Sequence, residues 1–244
     1  QDLMASASVS HDAIVHLAAR GSVPRSIKDP VATHAVNASG TVSVLEAARQ
    51  VGAHVVYASS SSVYGSNPVT PKTESLLPAP MTPYAASKSA GEAYVRAYAH
   101  SYDLPAITFR FFNVYGPWQR PDHVYAAVIP KWIWAAMHGE ELVINGSGSI
   151  ARDFTSVHDV VNVLVSTLEQ RLSQQDPVNL AFGKHVSLDD VITHLEAMMG
   201  PISVRVGPPR PGDIVNSQNE PARLLSLFPR YRPLEFTATL EETV

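Results

Sequence analysis

Short apolar runs alternate with stretches of helical periodicity along most of this chain, and that alternation restricts the fold more than any other feature. AIVHLAA (13–19), HVVYASS (54–60), AITFRFFNV (106–114), LVING (142–146), VNLAF (178–182) and ISVRV (202–206) read as strands. Runs that are apolar on both faces suit parallel strands covered on both sides. Between them, 30–51 reads as a helix, with Val36, Val44, Leu45 and Ala48 on helical spacing. A second helix runs from Pro83 to about Tyr102, with Thr82 as its cap and Pro83 at its first position. Further helices are expected at 126–138, 158–171 and 221–228, at the chain's last residues LEETV, and after Ser187, where Ser187-x-x-Asp190 forms a capping box. A β-α-β-α rhythm of this kind specifies an open α/β fold with a mostly parallel sheet. Pro-rich spacers (117–121 and 207–213) make the C-terminal half read as insertions over the sheet's ligand edge.

Composition removes several classes of function. With 244 residues, 45% of them hydrophobic, the chain can bury a sizeable core. It has no cysteine, which excludes disulfide frameworks, thiolate zinc sites and cysteine nucleophiles. A net charge of −4 is a poor footprint for nucleic acid. No apolar run is long enough to span a membrane, and QDLMASASVSHD lacks the pattern of a signal peptide, so the expected setting is cytoplasmic. Ten histidines, scattered from His11 to His194, form no ligand motif, so no metal is expected.

The chemistry concentrates in two places. Tyr84 and Lys88 lie four residues apart at a helix start and share one face. A lysine cation and the positive helix N-terminus both favour a phenolate, which makes Tyr84 a candidate base. Ser59-Ser60-Ser61-Ser62-Val63-Tyr64-Gly65 leaves the carboxyl end of strand 54–60, where an open α/β sheet binds its ligand. Taken alone, four serines are a polar turn and Tyr-x-x-x-Lys is a chance spacing; together they bring a hydroxyl at a strand end to a tyrosine at the next helix start. Gly146-x-Gly148-x-x-Ala151 satisfies the weak dinucleotide pattern, but RDFTSV follows it rather than an apolar helix, so it is rejected as a cofactor loop.

Ser60, Tyr84 and Lys88 resemble the Ser-Tyr-Lys triad of the extended short-chain dehydrogenase/reductases that act on sugar nucleotides. The resemblance extends along nearly the whole chain through HLAA, SVPRS, Asn37-Ala-Ser-Gly40-Thr41, SSSSVYG, PYAASK, RFFNVYGP, GSGSIARDF and RPGD. It is strongest to the UDP-hexose 4-epimerases. GSVPRSIKDP and YAAVIPKW are most similar to the UDP-N-acetylglucosamine type. The resemblance implies a Rossmann-type doubly wound parallel sheet, formed by 1–120 and 156–183, with a smaller substrate-binding portion, 121–155 and 184–244. It implies NAD as cofactor, a UDP-sugar as substrate and a homodimer in which helices 30–51 and 83–102 pair with their mates, near residues such as Val95 and Tyr98.

Leu17, Ala18, Ala19, Arg20, Asn37, Ser59 and Phe112, with Tyr84 and Lys88, would lie along the cofactor. Ser22, Ser60, Ser61, Asn113, Arg152, Arg210, Asp213 and Ser217 would hold the substrate, the two arginines on its diphosphate. Epimerases restricted to UDP-glucose and UDP-galactose place a tyrosine where Ser217 stands, so serine implies room for an N-acetyl group. Sugar dehydratases carry acids where this chain has Ser61 and Ser62, and 3,5-epimerases need a cysteine; a 4-keto reductase remains an alternative. The family's opening strand and glycine-rich turn do not occur in these residues. Either that unit lies upstream, which is the reading taken here, or the chain is an idle scaffold that does not hold NAD.

Overall fold

A computed structural model describes residues 12–121, 127–208 and 217–244. Two compact units form, each with its own core. The first comprises Gln1–Val69, Thr73–Phe111 and Asn162–Leu180, and the second Thr70–Lys72, Phe112–Val161 and Ala181–Val244.

The first unit is built on a four-stranded sheet of β1 (Ala13–His16), β2 (His54–Ser60), β3 (Ala106–Phe111) and β8 (Val178–Leu180), ordered β1-β2-β3-β8 with every pair parallel. Parallel neighbours need a crossover between them. Here α3 (Gly40–Val51) lies between β1 and β2, and α4 (Pro83–Tyr102) between β2 and β3. β2 is buried along its length except at Ser60, as its unbroken apolar run requires. Leu45, Ala48, Val55, Tyr57, Val95 and Ala106 form the core between sheet and helices. Because the strands are parallel, Leu17 and Ser60 leave β1 and β2 at the same edge.

The helix expected over 30–51 is broken. Ser22 caps α1 (Val23–Lys28) by accepting from the Arg25 amide, and Asp29 caps α2 (Pro30–His34) by accepting from the Ala32 amide. A π turn, Ala35–Ser39, then leads into α3. Val36, expected on the buried stripe, is 41% exposed, while Leu45 and Ala48 face the core. α4 begins as expected: Thr82 accepts a hydrogen bond from the Ala85 amide at 3.2 Å. Val95, expected at a subunit interface, is buried in this unit's own core, and the Tyr98 hydroxyl donates to Glu46.

The strand expected over 106–114 stops at Phe111. Asn113 takes a φ of 29°, a region asparagine tolerates, and Val114–Tyr115 (β4) pairs instead with Thr155–Ser156 (β7) in the second unit. This places 112–120 in the second unit rather than the first. The second unit also contains α5 (Val128–Met137), β5 (Leu142–Asn145), β6 (Ala151–Arg152), β9 (Val186–Ser187), α7 (Leu188–Met199), β10 (Val204–Gly207), α8 (Ala222–Leu227) and α9 (Phe236–Glu241). α6 (Val157–Glu169) begins in this unit. β5 pairs with β10, and β6 with β9. The capping box at the start of α7 forms as expected, with Ser187 and Asp190 exchanging hydrogen bonds. Tyr115, Trp132, Leu142, Leu195 and Leu240 share one core, so these segments are more than insertions over a sheet edge. Gly146 follows β5 into a turn and then β6, with no helix, in keeping with its rejection as a cofactor loop.

Among the described residues no helix is long and apolar enough to cross a membrane.

One backbone position controls the turn after β2. Gly65 has a φ of 46°, and a Cβ there would overlap the carbonyl of Ala79, whose amide bonds to Val63. Gly65→Ala should destabilise the protein by about 2–4 kcal/mol, since the obstacle is backbone and the dihedral is strained. A urea midpoint equal to wild type would contradict this.

Candidate active site

The end of β2 sets the first group. Ser60 is the last strand residue, and its Oγ accepts from the Ser62 amide at 3.2 Å as the chain enters a 3₁₀ turn, Ser61–Tyr64. Tyr84, the second residue of α4, lies near enough to Ser60 for the serine to act on its pKa. Lys88, one turn further, is 4% exposed. Its ammonium donates to the Ala58 carbonyl at 2.7 Å and lies 5.2 Å from the centre of the Tyr57 ring. The structure thus brings the expected Ser-Tyr-Lys group together within one unit.

The electrostatics depart from expectation. Burial pushes the Tyr84 hydroxyl above its ordinary pKa, and Ser60 pulls it back. The Lys88 ammonium donates to the Ala58 carbonyl, so the opposing pull on Tyr84 at this point comes from Ser60. Burial lowers Lys88 to about 8, opposed by the negative charge of Glu92, so the lysine is mostly cationic at neutral pH.

Leu17, Ala18, Ala19 and Arg20 form an irregular segment after β1, with Leu17 and Ala18 exposed. Asn37, on the π turn, is buried beneath it: its Oδ1 accepts from the Arg20 amide at 2.7 Å and its Nδ2 donates to Ser87 Oγ at 2.9 Å. Asn37 therefore shapes this segment rather than facing solvent. Two further expected residues have hydroxyls already engaged within the protein. Ser59, expected on the cofactor, is buried and spends its hydroxyl on Glu92 at 2.5 Å. Ser22, expected on the substrate, uses its hydroxyl to cap α1. Ser61 remains part-exposed in the turn after Ser60.

In the second unit, a cavity of about 660 Å³ is lined by Asn113, Arg152, Trp132, Lys131, Asn145 and Phe154, among others. Two expected substrate residues, Asn113 and Arg152, thus share one cavity of a size that suits an organic ligand. Asn113 Nδ2 donates to the Asp153 carbonyl at 3.3 Å and to Ser217 Oγ at 3.4 Å, and Ser217 bridges to Arg152. Ser217 thus contacts two cavity residues. Phe112 is fully buried. Arg210 and Asp213 lie outside the described residues. Trp132, Lys131 and Asn145 went unmarked in the sequence as site residues, although the YAAVIPKW resemblance pointed at the first two.

Asp153 was also missed. It is fully buried, and its Oδ2 accepts from the Gly183 and Asn219 amides. Burial raises it to about 7 against these amide bonds. The side chain ties the 181–184 and 217–219 segments to the strand end that carries Arg152.

Comparison with known proteins gives the family. Residues 2–181 match the NAD dependent epimerase/dehydratase family. The chain is 38% identical over 215 residues to the UDP-glucose 4-epimerase of Mycolicibacterium smegmatis, covering 87% of this chain and 68% of that protein. It is 36% identical to the UDP-glucuronate 4-epimerase of Thermodesulfobacterium geofontis, covering 78% of this chain and 58% of the other. Among solved structures, the UDP-N-acetylglucosamine 4-epimerase of Methanobrevibacter ruminantium M1, in complex with UDP-N-acetylmuramic acid, superposes with a TM-score of 0.94 at 34% identity, over 100% of this chain and 78% of that one. The chain spans about half the length of several curated relatives, 47% of one and 45% of another. With a family match over most of its length and a Rossmann-type parallel sheet carrying Ser60, Tyr84 and Lys88, this chain belongs to the NAD dependent epimerase/dehydratase family.

Proposed function

We propose that this chain carries the reacting groups of an NAD-dependent UDP-hexose 4-epimerase. One observation supports this above others: Ser60 stands at the carboxyl end of β2 near enough to Tyr84 to lower its pKa, with the buried cation of Lys88 one turn along α4. Relatives named for UDP-glucose, UDP-glucuronate and UDP-N-acetylglucosamine agree on the reaction and differ in the sugar.

The residues present fit the nicotinamide-ribose end of NAD. The exposed Leu17 and Ala18 offer an apolar edge beside β2, and Lys88 offers three donors of which the Ala58 carbonyl takes one. Among the described residues no glycine-rich strand-to-helix turn stands ready for the diphosphate. When bound, NAD supplies the hydride acceptor and donor for one carbon.

Tyr84 takes the proton of the sugar 4-hydroxyl as the C4 hydrogen departs as hydride, and the sugar becomes a 4-ketone. Ser60 hydrogen-bonds the reacting oxygen and favours the phenolate. For Tyr84 to act near neutral pH, the Lys88 charge must add to the effect of Ser60, since burial alone opposes ionisation. With NAD bound, hydride would return to the opposite face of the ketone while Tyr84 gives back the proton, which would yield the 4-epimer with no net redox change.

Arg152 and Asn113, on the cavity of the second unit, are read as ligands of the UDP portion, with Arg210 as a second phosphate ligand and Asp213 as a ribose or structural partner. The protein is read as cytoplasmic and as a homodimer. Exposed Ile27, Val31, Val36 and Tyr94 on the helices of 23–51 and 83–102 support the dimer.

The direct test is incubation with NAD and UDP-N-acetylglucosamine, UDP-glucose or UDP-glucuronate, followed by resolution of the 4-epimers. Conversion of none of the three would defeat the reading. Tyr84→Phe should lower turnover by roughly two to four decades with the fold retained. Activity within a few-fold of wild type would remove Tyr84 from the mechanism.

Ser217 supports acceptance of N-acetylhexosamines, as a small residue beside Asn113 and Arg152. Ser217→Tyr should cut turnover of UDP-N-acetylglucosamine at least about ten-fold more than that of UDP-glucose, because overpacking penalises the bulkier ligand. Equal losses on both would show that Ser217 does not select the sugar.

A further inference from the structure

α4 presents three polar residues at successive turns of one face: Tyr84, Lys88 and Glu92. The proposed reaction uses the first two and leaves Glu92 without a part. Its carboxylate is nonetheless deeply placed, with side-chain exposures of 10% for Glu92 and 3% for its partner Arg110. Oε1 accepts from Arg110 Nε at 2.9 Å and from Ser59 Oγ at 2.5 Å, and Oε2 accepts from Arg110 Nη2 at 2.7 Å. The guanidinium of Arg110 lies 4.7 Å from the centre of the Tyr64 ring, and the Tyr64 hydroxyl donates to Asn179 Oδ1 at 2.7 Å.

One carboxylate therefore gathers β2 through Ser59, β3 through Arg110 and the end of the 3₁₀ turn through Tyr64. Stability is a poor reason for such a group, since desolvating an ion pair offsets most of its attraction. Location is a better one. Ser59 precedes Ser60 and Tyr64 ends the turn that follows it, so the two points tied to Glu92 bracket the residue that acts on Tyr84. The same negative charge stands one turn beyond Lys88.

We infer that Glu92 is a positioning residue of this site: it holds the Ser59–Tyr64 segment in place around Ser60 and sets a carboxylate one turn along α4 from Lys88. The inference rests on the reading of Ser60, Tyr84 and Lys88 as the reacting group.

The groups around Lys88 define what Glu92 must counter. From β1, His16 is held neutral, its pKa lowered to about 4 by burial first and by Lys88 second. From β2 come the Tyr57 ring and the Ala58 carbonyl. α4 supplies Tyr84 and Glu92, and β3 supplies Arg110, paired with Glu92. Burial lowers Lys88 to about 8 and Glu92 alone opposes it. An ammonium is lost as pH rises through its pKa, so removing the Glu92 charge moves that loss to lower pH.

The test replaces Glu92 with glutamine, which keeps its volume, and with aspartate, which keeps its charge. In ¹⁵N-lysine-labelled protein without substrate, the Lys88 ammonium is titrated by NMR, with Lys88→Met identifying its signal. Glu92→Gln should lower the Lys88 midpoint and Glu92→Asp should restore most of it. In the epimerase assay Glu92→Gln should lose roughly ten-fold or more in kcat with little change in KM, as expected when reacting groups are misplaced. Its alkaline limb should move to lower pH.

A folded Glu92→Gln protein with an unmoved Lys88 midpoint overturns the inference, as does kcat within two-fold of wild type in an active enzyme. Absence of epimerase activity in the wild-type protein defeats the functional reading instead, and the Lys88 titration still decides the charge role. Should Glu92→Gln fail to fold, the double variant Glu92→Gln/Arg110→Gln, which leaves no lone buried cation, carries the same readouts. Collapse of all these variants, Glu92→Asp included, assigns Glu92 to the fold alone and overturns the inference.

Discussion

The hydrogen bond from the Ala85 amide to the Thr82 hydroxyl decides where α4 begins. Everything chemical in the first unit depends on that starting point. Moving the first turn by one residue would rotate Tyr84, Lys88 and Glu92 together by about 100° around the helix, away from the end of β2. Pro83 reinforces the start, because its fixed φ suits the first helical position and its missing N–H is not needed there. β2 supplies the other half of the arrangement. Its two buried faces pin the strand between β1 and β3, so Ser60 emerges at a defined point on the edge where parallel strands end.

Burial acts on these groups in a consistent direction, against charge. It raises Tyr84, lowers Lys88 and lowers His16, and in the second unit it raises Asp153 to about 7. Each group is then adjusted by one or two specific neighbours: Ser60 for Tyr84, Glu92 for Lys88, backbone amides for Asp153. The expectation that a lysine one turn away would itself lower the tyrosine missed this competition. Lys88 donates to the Ala58 carbonyl and keeps its charge, which must outweigh the burial that opposes a phenolate on Tyr84.

Much of the fold was legible because the signals were local. HVVYASS is an unbroken apolar run, PYAASK carries its own cap and proline, and Ser187-Asp190 completes a capping box in sequence. What escaped notice required tertiary partners. The breaks in the helix expected over 30–51, at Asp29 and at the π turn Ala35–Ser39, leave no clear mark on the apolar spacing. The end of β3 depends on Asn113 adopting a positive φ so that Val114 and Tyr115 can pair with a strand distant in sequence. The site was legible in the same uneven way. Ser60, Tyr84 and Lys88 stood out by spacing and resemblance. That the Ser59 hydroxyl turns inward to Glu92 is unreadable in a run of four serines. Glu92 and Asp153 went unmarked because a buried carboxylate is recognised by its partners, here Arg110 and backbone amides, and those come from other elements.

The central claim is that a hydrogen leaves C4 of a nucleotide sugar as hydride and returns to the same carbon. A UDP-hexose deuterated at C4 tests it most directly. The account predicts that both 4-epimers in the equilibrated mixture keep the deuterium, with none passing to solvent. Conversion accompanied by loss of the label to water would mean that C4 exchanges a proton rather than a hydride, and would contradict the account.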